Sequence, residues 1–302
     1  MKTIVNMNKI NASILCLLLT LSGSAQMNGL QITPKDHDLN GKVKTMSYHS
    51  TPKNEVPSAA NMSWKHFFDE KGRLNHTDTY FKNQYFGHDD YSYGSNDSIA
   101  KYENFDKSNK KVREVQFYFN VKNLREKEVH FEADTLEMTF KYKYNNKNQK
   151  TEMVEYLKDT IFALKYVYEY NPKGLHIKTS LFERKNKLQT VTTYKYDTRG
   201  RCIESRENDF EDIDTKYQHT YYTNGRQNSF LMLGKDNKMI MRNDFVFDAN
   251  GNVIKETSKI TQINFQSVTI NTYVYDSHKN WIIKTNTSKK ETKIVKRVIE
   301  YY

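Results

Sequence analysis

The sequence is poor in cysteine and in long apolar runs, and each shortage excludes a class of protein. It contains two cysteines in 302 residues, and Cys16 lies inside the apolar N-terminal segment, so a processed chain keeps Cys202 alone. A lone cysteine forms no internal disulfide, which excludes a small secreted domain held together by disulfides. After residue 25 no stretch is apolar enough to span a bilayer as a helix, so no transmembrane anchor is expected.

The motifs of the common chemistries are also missing. The sequence has no His-Glu-x-x-His or Cys/His zinc pattern, no Gly-x-Ser-x-Gly, no P-loop and no dinucleotide fingerprint. We therefore expect a protein that is not an enzyme and has no cofactor, with no catalytic, cofactor-binding or metal-binding residue. Ligand-binding residues stay unassigned at this stage.

The first 25 residues have the layout of a secretory signal peptide. Lys2 and Lys9 precede an apolar run at 14–21, and small residues at 22–25 offer a cleavage site before Gln26. We expect three segments: the signal peptide (1–25), a lead-in with a first strand and a proline-containing loop (26–60), and a repeat domain (61–302). Export would place the protein in the periplasm, at the cell surface or outside a Gram-negative bacterium.

One turn signature recurs nine times and defines the repeat domain. It reads aromatic, any residue, aromatic, Asp/Asn, two residues, then Gly/Asn, most clearly at 168–174, 194–200 and 245–251. We take the Asp/Asn slot as the marker of each copy. The nine markers, spaced 25 to 28 residues apart, are Asp69, Gly94, Asn120, Asn145, Asn171, Asp197, Tyr222, Asp248 and Asp276. A regular period of this length indicates a repeat architecture.

The residue types in the signature predict a β-hairpin turn. Asp or Asn suits the first turn position, and three residues later the backbone must adopt a left-handed conformation, which Gly, Asn and Asp tolerate best. That later slot is occupied by Gly72, Asp97, Asn123, Asn148, Gly174, Gly200, Gly225, Gly251 and Lys279. Eight of these nine residues are Gly, Asn or Asp, so nine hairpin turns are predicted.

Two aromatic slots precede each turn and lie two residues apart, so both side chains share one face of a strand. The slot directly before the turn holds Phe68, Tyr93, Phe119, Tyr144, Tyr170, Tyr196, Tyr221, Phe247 and Tyr275. The earlier slot holds His66, Tyr91, Phe117, Tyr142, Tyr168, Tyr194, His219, Phe245 and Tyr273. The residue between the two slots is often polar, which is typical of half-buried antiparallel strands.

Each repeat of about 26 residues accommodates two strands and a second, polar turn midway. Such turns are predicted at 157–160, 184–187, 209–215 and 288–291, with a first strand at 42–49 and a last strand at 294–302. The count is about twenty strands in one antiparallel meander. A sheet this large must curl, so we predict an all-β spiral, shell or wide barrel with its aromatic face inward. A β-propeller is the alternative.

The histidines, acidic residues and cysteine that could carry chemistry have simpler structural interpretations. His66 and His219 occupy aromatic slots, so we expect them to pack within the sheet. His88 beside Asp89 and Asp90 resembles part of a metal site, but a solvated loop is predicted there. Cys202 begins a strand and is expected to be a buried, unreactive thiol.

The net charge is +11, and removal of residues 1–25 would take away two lysines and leave +9. A basic surface favours acidic partners such as anionic glycans, lipopolysaccharide or nucleic acid. The basic residues are dispersed, however, so no specific nucleic-acid binding is predicted. The densest stretch, Lys289, Lys290, Lys293, Lys296 and Arg297, fits either an edge strand protected by lysine or an anion-binding patch.

The motif Tyr-x-Tyr-Asp-x-x-Gly-Arg at 194–201 resembles the YD repeats of Rhs-type proteins, and so do the copies at 247–253 and 275–281. The resemblance covers 64–302. It implies a long β-sheet wound into a shell, which in some members encloses a toxin and in others serves surface adhesion. This chain lacks an Asp-Pro-x-Gly boundary and a toxin-like C-terminal domain, so it looks like a short, secreted member.

These observations favour an exported, non-enzymatic protein that presents an extended β-surface to a glycan, an envelope component or another protein. The repeated tyrosines form either the core or a surface on which sugar rings stack. Association of chains through free sheet edges is an alternative, and a polysaccharide-acting enzyme is a less favoured one. Tripeptides of the Asp-Ser/Thr-aliphatic type at 97–99, 134–136 and 159–161 are candidate O-glycosylation sites.

Overall fold

Twenty β-strands make up the described part of the chain in a computed structural model, which covers residues 39–51, 62–209, 214–289 and 291–302. The predicted signal peptide and the loop with Pro52 and Pro57 lie outside these residues. The strands are β1 (Val43–Thr51), β2 (Met62–Phe68), β3 (Leu74–Phe81), β4 (Gln84–Tyr93), β5 (Ile99–Asp106), β6 (Lys111–Phe119), β7 (Arg125–Glu132), β8 (Thr135–Tyr144), β9 (Lys150–Leu157), β10 (Ile161–Tyr170), β11 (His176–Phe182), β12 (Leu188–Tyr196), β13 (Cys202–Asn208), β14 (Asp214–Tyr221), β15 (Gln227–Leu233), β16 (Met239–Phe247), β17 (Val253–Ile260), β18 (Phe265–Tyr275), β19 (Trp281–Thr287) and β20 (Thr292–Tyr301).

The strands form one closed antiparallel barrel. Each strand pairs with its neighbours in sequence, and β1 also pairs with β20. The prediction of about twenty strands in a single meander is confirmed, and among the predicted shapes the wide barrel is the correct one. The propeller alternative is not needed. No helix in the described residues is long and apolar enough to cross a membrane.

The seam between β1 and β20 closes the barrel. Its register joins Met46 to Ile299 and Thr51 to Ile294. Beside the seam, the Asn280 side chain is fully buried and donates to the carbonyl of Asn40 over 2.9 Å, while its Oδ1 accepts the Asn40 amide. Of the two interpretations of the basic stretch at 289–297, the lysine-protected edge strand is therefore wrong, because β20 is paired on both sides.

All nine predicted turns form, and they lie at one end of the barrel. In every copy the amide of the later slot donates to the carbonyl of the marker over 2.8 to 3.1 Å. All nine later slots have a positive φ, from 57° at Asp97 to 96° at Gly251. The Asp69 carboxylate shows the role of the marker side chain, since it accepts the amides of Lys71 and Arg73.

The opposite end carries the midway turns. Most of them place two consecutive residues at positive φ, as at Lys158 and Asp159 or Lys185 and Asn186. The predicted turns at 157–160, 184–187 and 288–291 are confirmed. The predicted turn at 209–215 falls largely on residues 210–213, which lie outside the described part.

The aromatic slots share one face of the sheet, because cross-strand partners lie on the same face. Tyr91 pairs with Tyr102, and His66 pairs with Met46. Most of the buried side chains belong to this face, whereas residues between the slots, such as Lys143 and Lys195, are exposed. A concave surface crowds its side chains, so we assign the aromatic face to the interior of the barrel and the other face to the exterior.

The barrel is too wide for side chains to fill it. Strands about 4.8 Å apart and tilted by about 40° would enclose a cylinder roughly 40 Å across, and barrels of about 16 strands already leave a channel. Packing is accordingly local. The larger cluster of buried side chains spans β1 to β6 around Met46, Phe68, Leu74 and Phe117, and the smaller one surrounds Tyr217 and Phe230.

Tyrosine at the slot before the turn links one repeat to the next. The hydroxyl of Tyr170 donates to the carbonyl of Lys150 over 2.7 Å, and that of Tyr196 donates to His176 over 2.5 Å. The same bond joins the following pairs: Tyr93 to Leu74, Tyr144 to Arg125 and Tyr221 to Cys202. The motif therefore favours Tyr over Phe because the hydroxyl satisfies a strand carbonyl one repeat away.

Replacement of Lys279 by glycine is expected to stabilise the barrel. Lys279 has a φ of 64° and is the one later slot without Gly, Asn or Asp. A left-handed residue with a side chain costs about 1–2 kcal/mol, which the flexibility of glycine partly offsets. Lys279→Gly should raise the free energy of unfolding in urea by about 0.5–1 kcal/mol. Lys173→Gly, one position earlier in an equivalent turn, should lower it, and a gain at both positions would contradict the assignment.

Candidate functional site

A row of five interior side chains crosses β8 to β12, and we call it the interior aromatic row. It consists of Tyr142 on β8, Lys150 on β9, Tyr168 on β10, His176 on β11 and Tyr194 on β12. The tyrosines occupy the earlier aromatic slot of three consecutive repeats. The lysine and the histidine are the first residues of the strands between them. None of the five is fully buried, so ring surface remains available to a ligand.

The members of the row contact one another in order. The Lys150 ammonium lies 5.8 Å from the ring centre of Tyr142 and 4.6 Å from that of Tyr168. The His176 ring centre lies 5.6 Å from that of Tyr168 and 4.7 Å from that of Tyr194. A cation over an aromatic face contributes about 0.5–2 kcal/mol, so these contacts hold the rings as one continuous surface.

The row is largely uncharged. Burial raises the pKa of Tyr142 and of Tyr168 well above that of a free phenol, so both keep their hydroxyl protons. Burial also lowers the pKa of His176, aided by the nearby positive charge of Lys150. Lys150 has a lowered pKa too, first because it is buried and second because it faces the Arg125 charge. The surface thus offers neutral rings, hydroxyl groups and one ammonium group.

A buried glutamate supports one end of the row. Glu128 Oε2 accepts a hydrogen bond from the Tyr142 hydroxyl over 3.0 Å, and it forms an ion pair with Arg125 over 2.9 Å. Its Oε1 lies 2.6 Å from Nε2 of His130. Burial alone would raise the pKa of Glu128, but the His130 hydrogen bond and the Arg125 charge outweigh it and lower the pKa.

A second aromatic and cationic cluster lies at the seam. The Arg297 guanidinium stacks 3.4 Å from the ring centre of Trp281 and 4.9 Å from that of Tyr48, to whose hydroxyl it also donates a hydrogen bond. Arg297 is 8% exposed, so it cannot belong to a surface patch. The residues of the predicted basic stretch therefore do not act together. Lys293 forms an ion pair with Glu291, and residue 290 lies outside the described part.

The predicted packing residues have structural contacts. His66 is buried, with Nδ1 2.9 Å from the Thr77 hydroxyl. His219 packs 5.4 Å from the Phe230 ring, and burial lowers its pKa. Cys202 is a half-buried free thiol whose pKa is raised by burial, so it is not activated as a nucleophile.

The prediction of a solvated loop at His88, Asp89 and Asp90 is wrong, because all three lie on β4. Asp89 points to the interior, where its carboxylate accepts hydrogen bonds from Tyr102 and Asn104, each over 2.8 Å. His88 and Asp90 lie on the exterior. In the described residues they form, with His76, a group whose ligating atoms all lie within 4.8 Å of one another.

The three Asp-Ser/Thr-aliphatic tripeptides differ in accessibility. Ser98 is half-buried and precedes the buried Ile99. Thr135 and Thr160 are both exposed at turns on the opposite end of the barrel from the repeat turns. Thr135 and Thr160 are therefore the more accessible of the three hydroxyl groups.

Searches for related proteins found weak similarity to solved structures and no similarity at the level of sequence families. No protein-family description matches the sequence, and no curated relative matches it. Similar solved structures include the TcdB2-TccC3-Cdc42 complex, with 10% identity, a TM-score of 0.33 and coverage of 88% of this chain. The Photorhabdus luminescens Tc holotoxin pore is similar with 9% identity and a TM-score of 0.31, over 79% of this chain. The chain spans 17% of the length of each of these toxin chains.

A porin-like protein from Bacteroides uniformis is also similar, with 9% identity and a TM-score of 0.35 over 86% of this chain and 98% of that one. The neighbours are thus Tc toxin components and a porin-like protein, all at low identity.

Replacement of Glu128 by glutamine should destabilise the barrel in a pH-dependent way. The lowered pKa of Glu128 means that its ionised form stabilises the fold above the ordinary value of 4.5, and that this contribution is lost as pH falls through the native pKa. At pH 7 Glu128→Gln should lower the free energy of unfolding by about 1–3 kcal/mol, and the difference should shrink in acid. Glu126→Gln, at an exposed neighbour, should change it by less than about 0.5 kcal/mol. A loss independent of pH would contradict the assigned ionisation.

Proposed function

We propose that this protein is a short, exported, YD-repeat-like barrel that binds a glycan chain along its interior aromatic row and does not act as an enzyme. The observation that carries the proposal is the continuous contact of Tyr142, Lys150, Tyr168, His176 and Tyr194 across five strands. The assignment to a YD-repeat group is supported by the nine turns, which share one backbone hydrogen bond and a positive φ at the later slot.

The spacing of the row suits a chain of repeating units. Equivalent residues on consecutive hairpins are two strands apart, which is about 9.6 Å and comparable to the length of a disaccharide. Each tyrosine offers a ring face for the apolar side of a sugar and a hydroxyl group for its polar edge. A ligand with the same period would therefore make the same contact at each of the three tyrosines.

The charges of the row favour a glycan over nucleic acid. Proteins that bind single-stranded nucleic acid combine stacking rings with a strongly basic groove. Here the row has one ammonium group, Lys150, and the Glu128 carboxylate lies beside Tyr142. Binding through stacking and hydroxyl contacts should depend little on salt, whereas binding through phosphates weakens steeply as salt rises.

The alternative, association of chains through sheet edges, was motivated by free edges that the closed barrel does not have. In the described residues β1 and β20 pair with each other, and every other strand has a partner on both sides. Strand addition needs an unpaired edge. Binding at a surface of the closed barrel is therefore the better-supported function.

A specific arrangement favours hydrolysis of the bound glycan as a second candidate. Glu128 and Glu155 are both cross-strand partners of Phe140, so they share the interior face two strands apart. Burial raises the pKa of Glu155, whereas that of Glu128 is lowered. Two carboxyl groups with oppositely shifted pKa values are the pattern of an acid and a base in glycosidases. Release of reducing ends by the native protein, lost in Glu155→Gln, would establish this candidate, and binding without release would exclude it.

Loss of one ring from the row should weaken glycan binding. Calorimetric titration of the protein with chitohexaose, cellohexaose and polygalacturonate would identify a bound class. Tyr168→Ala, at the centre of the row, should weaken that binding about tenfold, or about 1.4 kcal/mol. Tyr118→Ala is the matched control, since Tyr118 lies on the exterior and is 44% exposed.

Three different results would contradict glycan binding at the interior aromatic row. Equal losses in Tyr168→Ala and Tyr118→Ala would show that the interior row is not the binding surface. Binding that disappears between about 0.05 and 0.5 M salt would show that charge, screened at this ionic strength, was responsible rather than stacking. Absence of binding to all three saccharides would count against this class of ligand.

A further inference from the structure

Four polar side chains meet on the exterior of the barrel where β3 pairs with β4, and we call them the exterior His/Asp cluster. They are His76 and Asp78 on β3 and His88 and Asp90 on β4. His76 is the direct cross-strand partner of Asp90, and Asp78 is that of His88. Side chains at such positions point to the same face, so the fold itself brings all four together.

Three of these side chains converge on one point. Nδ1 of His76 lies 2.6 Å from Oδ1 of Asp90, and Nε2 of His88 lies 3.6 Å from Oδ2 of the same carboxylate. The ligating atoms of all three lie within 4.8 Å of one another. Donors bound to one tetrahedral ion at about 2.0–2.1 Å are about 3.3 Å apart, so small rotations would place all three at that separation.

The second nitrogen of each imidazole is held by another polar group. Nε2 of His76 lies 3.0 Å from Oδ1 of Asp78, and Nδ1 of His88 lies 2.6 Å from the Tyr85 hydroxyl. The His88 ring also stacks on Phe105, with centres 4.5 Å apart and planes 12° from parallel. Histidines that bind metals almost always have such an outer partner, which fixes the ring and its tautomer.

The surroundings are accessible but not fully exposed. The side chains of His88, His76 and Asp90 are 12%, 31% and 42% exposed, respectively. The rings of Phe67 and Phe105 flank the two imidazoles. An ion from solvent could therefore reach the three donor atoms, and apolar walls would limit competition by water on two sides.

We propose that His76, His88 and Asp90 bind a divalent transition-metal ion of the Zn²⁺ type on the exterior of the barrel. Two imidazoles with one carboxylate suit Zn²⁺ and similar ions, whereas Ca²⁺ and Mg²⁺ prefer sites made of oxygen ligands alone. Asp78 and Tyr85 act as the outer partners. Three protein ligands leave a fourth position for water or for a donor group from another molecule.

The predicted consequence is a metal-mediated cross-link between β3 and β4. The ion would join β3 to β4 in addition to their hydrogen bonds, and it would stabilise the native state because the unfolded chain does not present the three donors together. The site does not involve the interior aromatic row, so it stands independently of glycan binding.

The test is titration of Zn²⁺ onto the full protein after dialysis against a chelator, followed by calorimetry and by thermal unfolding. We expect one Zn²⁺ per chain and a rise in the unfolding temperature, with no saturable binding of Ca²⁺ or Mg²⁺. His88→Gln and Asp90→Asn should each weaken Zn²⁺ binding at least tenfold. Tyr85→Phe, which removes an outer partner alone, should weaken it about tenfold.

His278→Gln is the matched control, because His278 lies at a repeat turn, where it stacks on Tyr301. This variant should bind Zn²⁺ like the native protein. Asp90→Asn preserves the shape of the side chain, and its circular dichroism would show whether the sheet is intact. Absence of saturable Zn²⁺ binding would overturn the proposal, as would binding that survives both His88→Gln and Asp90→Asn.

Discussion

The pairing of β1 with β20 is the constraint on which the rest of this structure depends. A sheet of twenty strands with two free ends would expose unpaired backbone groups along both edges. The seam removes those edges by joining segments about 250 residues apart, with Met46 opposite Ile299. It also gives the sheet an inside and an outside, so the same alternation of side chains that makes each strand amphipathic now separates an enclosed face from an exposed one.

The seam is reinforced by polar and aromatic contacts as well as by the backbone ladder. Arg297 stacks on Trp281 and Tyr48 at the interior, and Asn280 connects the last repeat turn to the segment that precedes β1. A buried guanidinium is costly unless its charge is compensated. Its contacts with two rings and the Tyr48 hydroxyl supply part of that compensation, which explains an arginine at a position that otherwise belongs to the core.

One motif serves two purposes in different parts of the barrel. In the first repeats the aromatic slots pack into a local core, where Phe68, Tyr91 and Phe117 are buried. Between β8 and β12 the same slots hold Tyr142 and Tyr168, which keep part of their ring surface accessible. The same repeat therefore builds a closely packed core in one part of the barrel and leaves ring surface uncovered in another.

Much of this fold follows from the sequence, because turn chemistry is local. The left-handed slot, the marker and the paired aromatic residues are fixed within seven residues, and all nine turns form as predicted. The sequence also contains a signal for the interior aromatic row, which the prediction did not use. Lys150 and His176 both lie five residues after a marker, as do Arg125 and Trp281, and this slot always faces the aromatic pair.

The exterior His/Asp cluster could not be predicted in the same way. The two-residue turn after Phe81 would by itself pair His76 with Asp89. A bulge near Gly87 shifts the register by one residue, so Asp90 becomes the partner and Asp89 turns inward. Gly87 has a φ of 152°, and a Cβ there would collide with the carbonyl oxygen of Phe105. Bulges arise from such long-range fits, and one of them decides which acidic residue joins the histidines.

The most direct test of this account is a disulfide across the seam. Ser47 and Val298 are cross-strand partners on β1 and β20, and such partners lie close enough for a disulfide. In a chain with Cys16→Ser and Cys202→Ser, the pair Ser47→Cys and Val298→Cys should form an intramolecular disulfide on mild oxidation. The pair Ser47→Cys and Ile294→Cys, displaced by four residues, should not. A closed barrel predicts the first link and not the second, whereas an open sheet would give neither, or links between chains.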